Sequence, residues 1–275
     1  MKFGLGTGGL DEKFSKNFWE IFANSVIQKD YIHTALNYNN VEQYFSKVFS
    51  ENVGKPKLIV KIEINKNPLK KLINIPKQIN LILEKYKLDY IDTVQICNNP
   101  SSNKLNTFLI QAILKKFKKQ KIINNFFIES FEPFSNNLNN TINDSFYDGY
   151  IFTLNCFQRG ASNFFFHNIL NSNKKIISIS SLASCQSNFY FEKFSSEFRI
   201  SLNEIILRNK LESINALHIA FLKSTNKVSI ALFGSKNYKR IKIIKSLIKN
   251  TKPLSTFDMN KVISLQEKFK SPILF

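Results

Sequence analysis

The 275-residue chain is long enough for one α/β barrel of about 250 residues, with little to spare for a second domain. Hydrophobic residues make up 43% and aromatics 13%, enough for a sizeable core, so wholesale disorder is excluded. Lys plus Arg number 39 against 20 Asp plus Glu, and the resulting +19 raises a polyanion partner. The crowding of Lys, Asn, Ile and Phe, all served by A/T-rich codons, is the favoured account of it.

Short apolar runs alternate with longer amphipathic, Lys-rich stretches along the chain. The first strand is expected near 3–7 (FGLGT), followed by a helix over 14–29 with Phe14, Phe18, Ile21 and Phe22 on one side. A second strand is read at 31–35 (YIHTA), then a helix over 41–50. A third strand at 58–62 (LIVKI) leads into a helix over 72–87. A fourth at 91–96 (IDTVQI) leads into a helix over 105–119 whose outer face is Lys-rich. The remaining strands are placed near 125–130, 150–155, 176–181 and 228–233, with helices over 201–223 and 237–249. The Asn-rich stretch 136–144 reads as a surface loop. The Phe-rich run 163–169 reads as core, or as a loop over the mouth.

Continuous apolar strands suit a sheet buried on both faces. Eight of them alternating with helices predict a parallel series closed into a (β/α)8 TIM barrel, one domain over 1–275. In such a barrel, chemistry sits at the C-terminal ends of the strands. That rule places His33, Tyr38, Lys61 and Cys97 at one mouth.

Other chemistries find little support. Cys97, Cys156 and Cys185 lack paired spacing, which argues against a disulfide framework, and Cys156 and Cys185 read as packing residues. His33, His167 and His218 are too scattered for a zinc site, and no metal is expected. No run of about 18 apolar residues is present. The opening MKFGLGTGGL has no signal-peptide core. The expectation is a cytoplasmic protein with no membrane partner and no nucleic-acid partner.

Seven ordered fragments carry a family resemblance. They are FGLGTGG at 3–9, YIHTALNYNNVE at 31–42, LIVKI at 58–62 and LEKYKLDYIDTVQIC at 83–97. FFIES at 126–130, TLNCFQR at 153–159 and LFGSKNYKRI at 232–241 complete the series. Together they resemble the aldo-keto reductases, whereas 133–149 and 250–275 match poorly. The resemblance implies hydride transfer between a nicotinamide and a carbonyl or alcohol, sugar-like compounds being one candidate class. It also implies a catalytic tetrad of Asp, Tyr, Lys and His.

Tyr38 and Lys61 stand at the Tyr and Lys positions of that tetrad. His33 stands where the family has Asp, and Cys97 where it has His. A phenol with a pKa near 10 needs a neighbouring cation to work near neutral pH, so Lys61 beside Tyr38 is a chemically sensible pair. His33 cannot supply the carboxylate's negative charge, and Cys97 is a weak donor. For the cofactor, the resemblance implies Ser130 and Asn155 near the carboxamide. It implies Gly234, Ser235, Lys236, Asn237 and Arg240 near the phosphates. Lys236 and Arg240 suit a 2′-phosphate, so NADP is expected over NAD. Phe131, Ile151 and Ile179 depart from the family pattern at the nicotinamide seat. Glu132 is a weak candidate for substrate contact, and Asp92 a structural one. Because half the tetrad is replaced, a barrel that binds nucleotide or a partner without turnover is the alternative expectation.

Overall fold

The computed structural model describes residues 1–8, 30–38, 57–63, 68–97, 104–131, 134–183, 187–235 and 237–269. The expected helices over 14–29 and 41–50, as well as Glu132, Cys185 and Lys236, lie outside these residues.

Eight strands close a parallel barrel: β1 (Lys2–Gly6), β2 (Tyr31–Ala35), β3 (Lys57–Ile62), β4 (Ile91–Ile96), β5 (Ile123–Glu129), β6 (Gly149–Thr153), β7 (Lys175–Ile179) and β8 (Val228–Phe233). They pair in sequence order, and β1 closes the ring on β8. This is the (β/α)8 architecture expected from the sequence. Each strand lies within about two residues of its expected place. The runs are short and β-branched, and most of their residues are buried, as a sheet covered on both faces requires.

The described helices are α1 (Pro68–Tyr86), α2 (Lys104–Lys119), α3 (Asn163–Leu170), α4 (Ser187–Phe191), α5 (Ser196–Arg208), α6 (Ile214–Ser224), α7 (Tyr238–Asn250) and α8 (Thr256–Lys268). Two expectations are corrected and a third is resolved in favour of core. The single helix over 201–223 is two helices, because Asn209 ends α5, Lys210 takes a positive φ of 52° and Ser213 caps α6 through its hydroxyl. The stretch 136–144 is largely a 3₁₀ helix, Phe134–Thr141. The Phe-rich run forms α3, with Phe165 and Phe166 fully buried in the core and Phe164 exposed.

Among the described residues two apolar cores form. The larger packs the outer face of the barrel against the helices. The smaller fills the barrel itself with Tyr31, Ile59, Phe127, Ile151, Ile177, Ile230 and Leu232. Gly4 makes room for that plug: a Cβ there would lie 2.4 Å from a Leu232 methyl. These inward residues set the phase of β2, β3 and β5–β8. Side chains alternate along a strand, so the next inward positions toward the C-terminal mouth are His33 on β2, Lys61 on β3 and Glu129 on β5. On β4, Gln95 stands beside Lys61 in the pairing register. The layer above the apolar plug is therefore polar over β2–β5. The next inward residue on β6 is Thr153, and on β7 it is the apolar Ile179.

Ion pairs mark the opposite, N-terminal end of the barrel. Lys57 pairs with Asp92 at 3.5 Å, and Lys118 with Asp148 at 3.1 Å. Asp92 also accepts from the Thr93 hydroxyl at 2.9 Å. Its place beside the start of β4 is structural, away from the mouth.

Candidate active site

Tyr38 reaches the mouth because the chain turns sharply after β2. Its amide donates to the Ala35 carbonyl at 3.2 Å, closing the turn. Asn37 is tied to the end of β3 by a 2.7 Å bond from its amide to Glu63. Gln78 on α1 holds Glu63 in turn, accepting from its amide at 3.0 Å and donating to its carbonyl at 2.9 Å. The Tyr38 ring stands edge-on to His33, with centroids 6.3 Å apart. A Cβ on Gly8 would touch the phenol ring at 3.3 Å, so the β1 loop packs against it.

His33 is buried, and its Nε2 lies 2.7 Å from the Gln95 Oε1. With that oxygen accepting, Nε2 carries the proton. Burial pushes the imidazole down to about 4 despite the Gln95 bond, so the ring is neutral at physiological pH. It cannot act as a counter-charge for Lys61.

A carboxylate does meet Lys61, but it comes from another strand. The ammonium lies 3.3 Å from Glu129 Oε1, and both side chains are largely shielded. Burial acts to lower the Lys61 pKa. Cys97, Glu129 and Tyr38 oppose it, and the balance lies above the ordinary lysine value. Cys97 sits at the end of β4 against the same pair. Burial, with the adjacent carboxylate, pushes its thiol up to about 12, so it is uncharged at neutral pH. It is a small, weakly polar wall and no thiolate nucleophile.

Tyr38 feels the whole group. Burial raises its phenol pKa, Lys61 lowers it, and Glu129 and Cys97 raise it, leaving it above the ordinary value. The phenol is therefore protonated near neutral pH, with an ammonium beside it to receive developing negative charge. That arrangement suits proton donation to an oxygen.

The structure thus brings Tyr38, Lys61, His33 and Cys97 to one mouth. It adds Glu129 and Gln95, which the sequence reading did not single out. The inward phase of β5, fixed by Phe127, was the signal that could have found Glu129.

The residues expected at the nicotinamide are engaged within the protein. The Ser130 hydroxyl donates to the Gly160 carbonyl at 3.1 Å. Asn155 donates through its amide to the Ser180 carbonyl at 3.0 Å, while its Oδ1 accepts from the amides of Phe157 and Gln158 at 2.9 and 3.2 Å. Ser130 keeps lone pairs as an acceptor, and Asn155 keeps one amide hydrogen as a donor. Ile179, partly exposed on β7, offers an apolar surface for a flat ring, and Ile151 and Ile177 lie fully buried in the plug it packs against.

At the phosphate end, Asn237 caps α7, accepting from the amides of Lys239 at 2.9 Å and Arg240 at 3.4 Å. Ser235 is bonded to Asn237 through both its hydroxyl and the Asn237 amide. A Cβ on Gly234 would have nothing within 4 Å, so the backbone there faces open space. Arg240 is exposed on the first turn of a helix whose first turn carries no acidic residue. These groups fit an anionic cofactor tail. Among the described residues, no cluster of three His, Cys, Asp or Glu side chains could hold a metal ion. No helix among them is long and apolar enough to cross a membrane.

No family model matches the sequence, and no curated relative does. Solved structures are similar across nearly the whole chain. MGS-M4, an aldo-keto reductase from a Medee basin deep-sea metagenome library, superposes with a TM-score of 0.71 at 15% identity, over 99% of this chain and 92% of its own. The aldo-keto reductase AKR11C1 from Bacillus halodurans, in its holo form, gives 0.71 at 16% identity, over 96% and 91%. Its apo form gives 0.70 at 16% identity, over 96% and 90%. The chain therefore has the barrel fold of the aldo-keto reductases.

Proposed function

We propose that the protein is a nicotinamide-dependent reductase of carbonyl compounds, with NADP the preferred cofactor. The observation that carries this reading is the meeting of Tyr38 and Lys61 at the mouth of a barrel with the aldo-keto reductase fold. The cofactor supplies hydride to the carbonyl carbon. Tyr38, protonated near neutral pH, gives its proton to the carbonyl oxygen. Lys61 stabilises the phenolate left behind. His33 holds the floor beside them as a neutral donor and acceptor, and Cys97 lines the substrate space. Ser130 and Asn155, buried and bonded within the protein, shape the wall behind the carboxamide. Gly234, Ser235, Asn237 and Arg240 form the phosphate end, and Lys236 stands between them in the sequence.

Apolar groups on the β6–β7 side bear on the substrate, beginning with the partly exposed Ile179. Phe164 is exposed at the start of the helix that follows β6, and Phe189 is exposed in α4, which follows β7. This lining favours a substrate with an apolar body over a sugar-like one. A small diffusible carbonyl compound is the partner that this site requires.

One observation favours a rival reading. Neither His33 nor Cys97 is charged near neutral pH, which suits a barrel that binds nucleotide or a protein partner without turnover. Titration with NADPH and NADH, followed by nicotinamide fluorescence, comes first. A screen of aldehydes and ketones then uses the protein and its Tyr38→Phe variant. General acid catalysis is worth about 10²–10⁴-fold, so the variant should lose that much of kcat with cofactor affinity unchanged. Turnover that survives in Tyr38→Phe removes Tyr38 from the mechanism, and absent turnover with intact NADPH binding favours the rival.

A further inference from the structure

We propose that Glu129, reaching in from β5, is the positioning residue that holds Lys61 as a cation beside Tyr38, a task the β2 position cannot perform with His33 in place. The inference rests on the reductase reading for its catalytic consequence, but not for its geometry.

An ammonium inside a barrel is costly unless an opposite charge meets it. The groups that face Lys61 come from three sides. From β2 come His33, which is a neutral imidazole, and Tyr38, which is a phenol. From β4 come the Gln95 amide and the Cys97 thiol. From β5 comes Glu129, at 3.3 Å. Glu63, two residues beyond Lys61, is bonded to Asn37. Among the described residues, Glu129 is the group around Lys61 that carries an opposite charge within ion-pair distance.

The reach is physically reasonable. Neighbouring strands lie about 4.8 Å apart, so β3 and β5 are separated by roughly twice that, a gap two long side chains can bridge across β4. Lys61 stands level with Gln95, and Gln95 level with Phe127. Glu129 is the next inward residue above Phe127. The pair therefore crosses above Gln95 and against Cys97, closing one side of the mouth. Gln95 is left to satisfy His33 instead, by the 2.7 Å bond already described. The polar layer is self-consistent: one neutral pair from β2 and β4, and one ionic pair from β3 and β5.

The test uses the full-length protein and the variants Glu129→Gln, Glu129→Asp and Glu129→Gln combined with His33→Asp. The first readout needs no substrate. Lys61 is labelled with acetic anhydride near pH 9, and its rate is read by peptide mass spectrometry, with exposed Lys239 as internal reference. Only the neutral amine reacts, so one unit of lost pKa appears as about a tenfold faster rate. Glu129→Gln should accelerate Lys61 labelling by about that factor, and Glu129→Asp by less. Adding His33→Asp should bring the rate back down, because it returns a carboxylate to the neighbouring strand. The second readout is the reduction of a carbonyl substrate by NADPH. There Glu129→Gln should lower kcat and shift its pH profile, with the KM for NADPH unchanged.

Unchanged labelling of Lys61 in Glu129→Gln overturns the proposal. So does faster labelling that His33→Asp fails to reverse, since that pattern marks a loosened strand end. Should Glu129→Gln fail to fold, Glu129→Asp carries the same comparison. A protein that reduces no carbonyl compound refutes the reductase reading alone, while the labelling result still decides the role of Glu129.

Discussion

Two buried histidines make acid the condition under which this fold should fail. His218 lies on α6 with no exposed surface, accepting the Cys156 amide on Nδ1 at 3.1 Å under the Phe157 ring. Burial pushes it from 6.5 down to about 3. His33 at the barrel mouth is pushed from 6.5 to about 4. A lowered folded pKa means that the unfolded chain binds more protons between pH 6.5 and the folded value. Stability is therefore fully present above pH 6.5 and falls as acid is added. At 1.36 kcal/mol per unit, each histidine removes about 3 kcal/mol by pH 4, about 6 together. That is a large part of the 5–15 kcal/mol typical of a domain. The perturbation that isolates His218 is His218→Asn, whose side-chain oxygen can still accept the Cys156 amide but cannot titrate. Urea unfolding followed by circular dichroism at pH 7, 5.5 and 4 measures the difference. From pH 7 to pH 4 the wild type should lose about 3 kcal/mol more than the variant. Carboxylates titrate alike in both proteins and cancel in the comparison. Equal losses in the two proteins would refute the reasoning, because His218 would then be free to protonate without unfolding.

Arg240→Ala should weaken NADPH binding about tenfold and leave NADH unchanged, as read by fluorescence titration; equal weakening of both would separate Arg240 from the 2′-phosphate. Phe166→Ala should cost about 3–5 kcal/mol in denaturant unfolding. The ring is fully buried, edge-on to Phe152 at 6.3 Å and beneath the Arg159 guanidinium at 5.4 Å. Asp258→Ala should cost about 1–3 kcal/mol, because the carboxylate accepts from Arg208 at 2.6 Å and Asn209 at 2.9 Å and joins α5 to the start of α8. Burial acts to raise the pKa of that carboxyl, but bonds from Asn209, Arg208 and Ser255 hold it below its ordinary value. Its contribution should therefore persist to more acid pH than that of either histidine, and a pH series on the variant checks the order.

The barrel was legible because its strands are buried on both faces. Runs such as LIVKI and IDTVQI announce themselves without any alternation, and eight of them in a chain of this length leave few architectures. One helix was given wrong bounds and one was missed, although local signals for both were present. Ser213 precedes α6 as a cap, with its hydroxyl 3.2 Å from the Ala216 amide. Ser255 and Asp258 form a capping pair at the start of α8, the Ser hydroxyl accepting the Asp258 amide at 3.1 Å. The periodic apolar pattern over 201–223 outweighed the first, and the second lay in a tail that no motif drew attention to.

The site was legible only in part, and the reason lies in strand parity. Tyr38, Lys61, His33 and Cys97 follow from the rule that chemistry sits at strand ends, whatever the phase. Whether Glu129 or Ser130 faces the barrel axis depends on the phase of β5, and a shift of one residue exchanges them. Phe127 settles it, packing in the barrel plug with Tyr31 and Ile59. Glu129 then faces Lys61, while the Ser130 hydroxyl is bonded to the Gly160 carbonyl beyond β6. A reading of the motif around FFIES attends to the Ser, because the family resemblance does. A reading of the physics attends to the Glu, because a lysine inside a barrel must be answered by a negative charge. His33 withholds that charge on β2, Cys97 withholds it on β4, and the register leaves β5 to supply it.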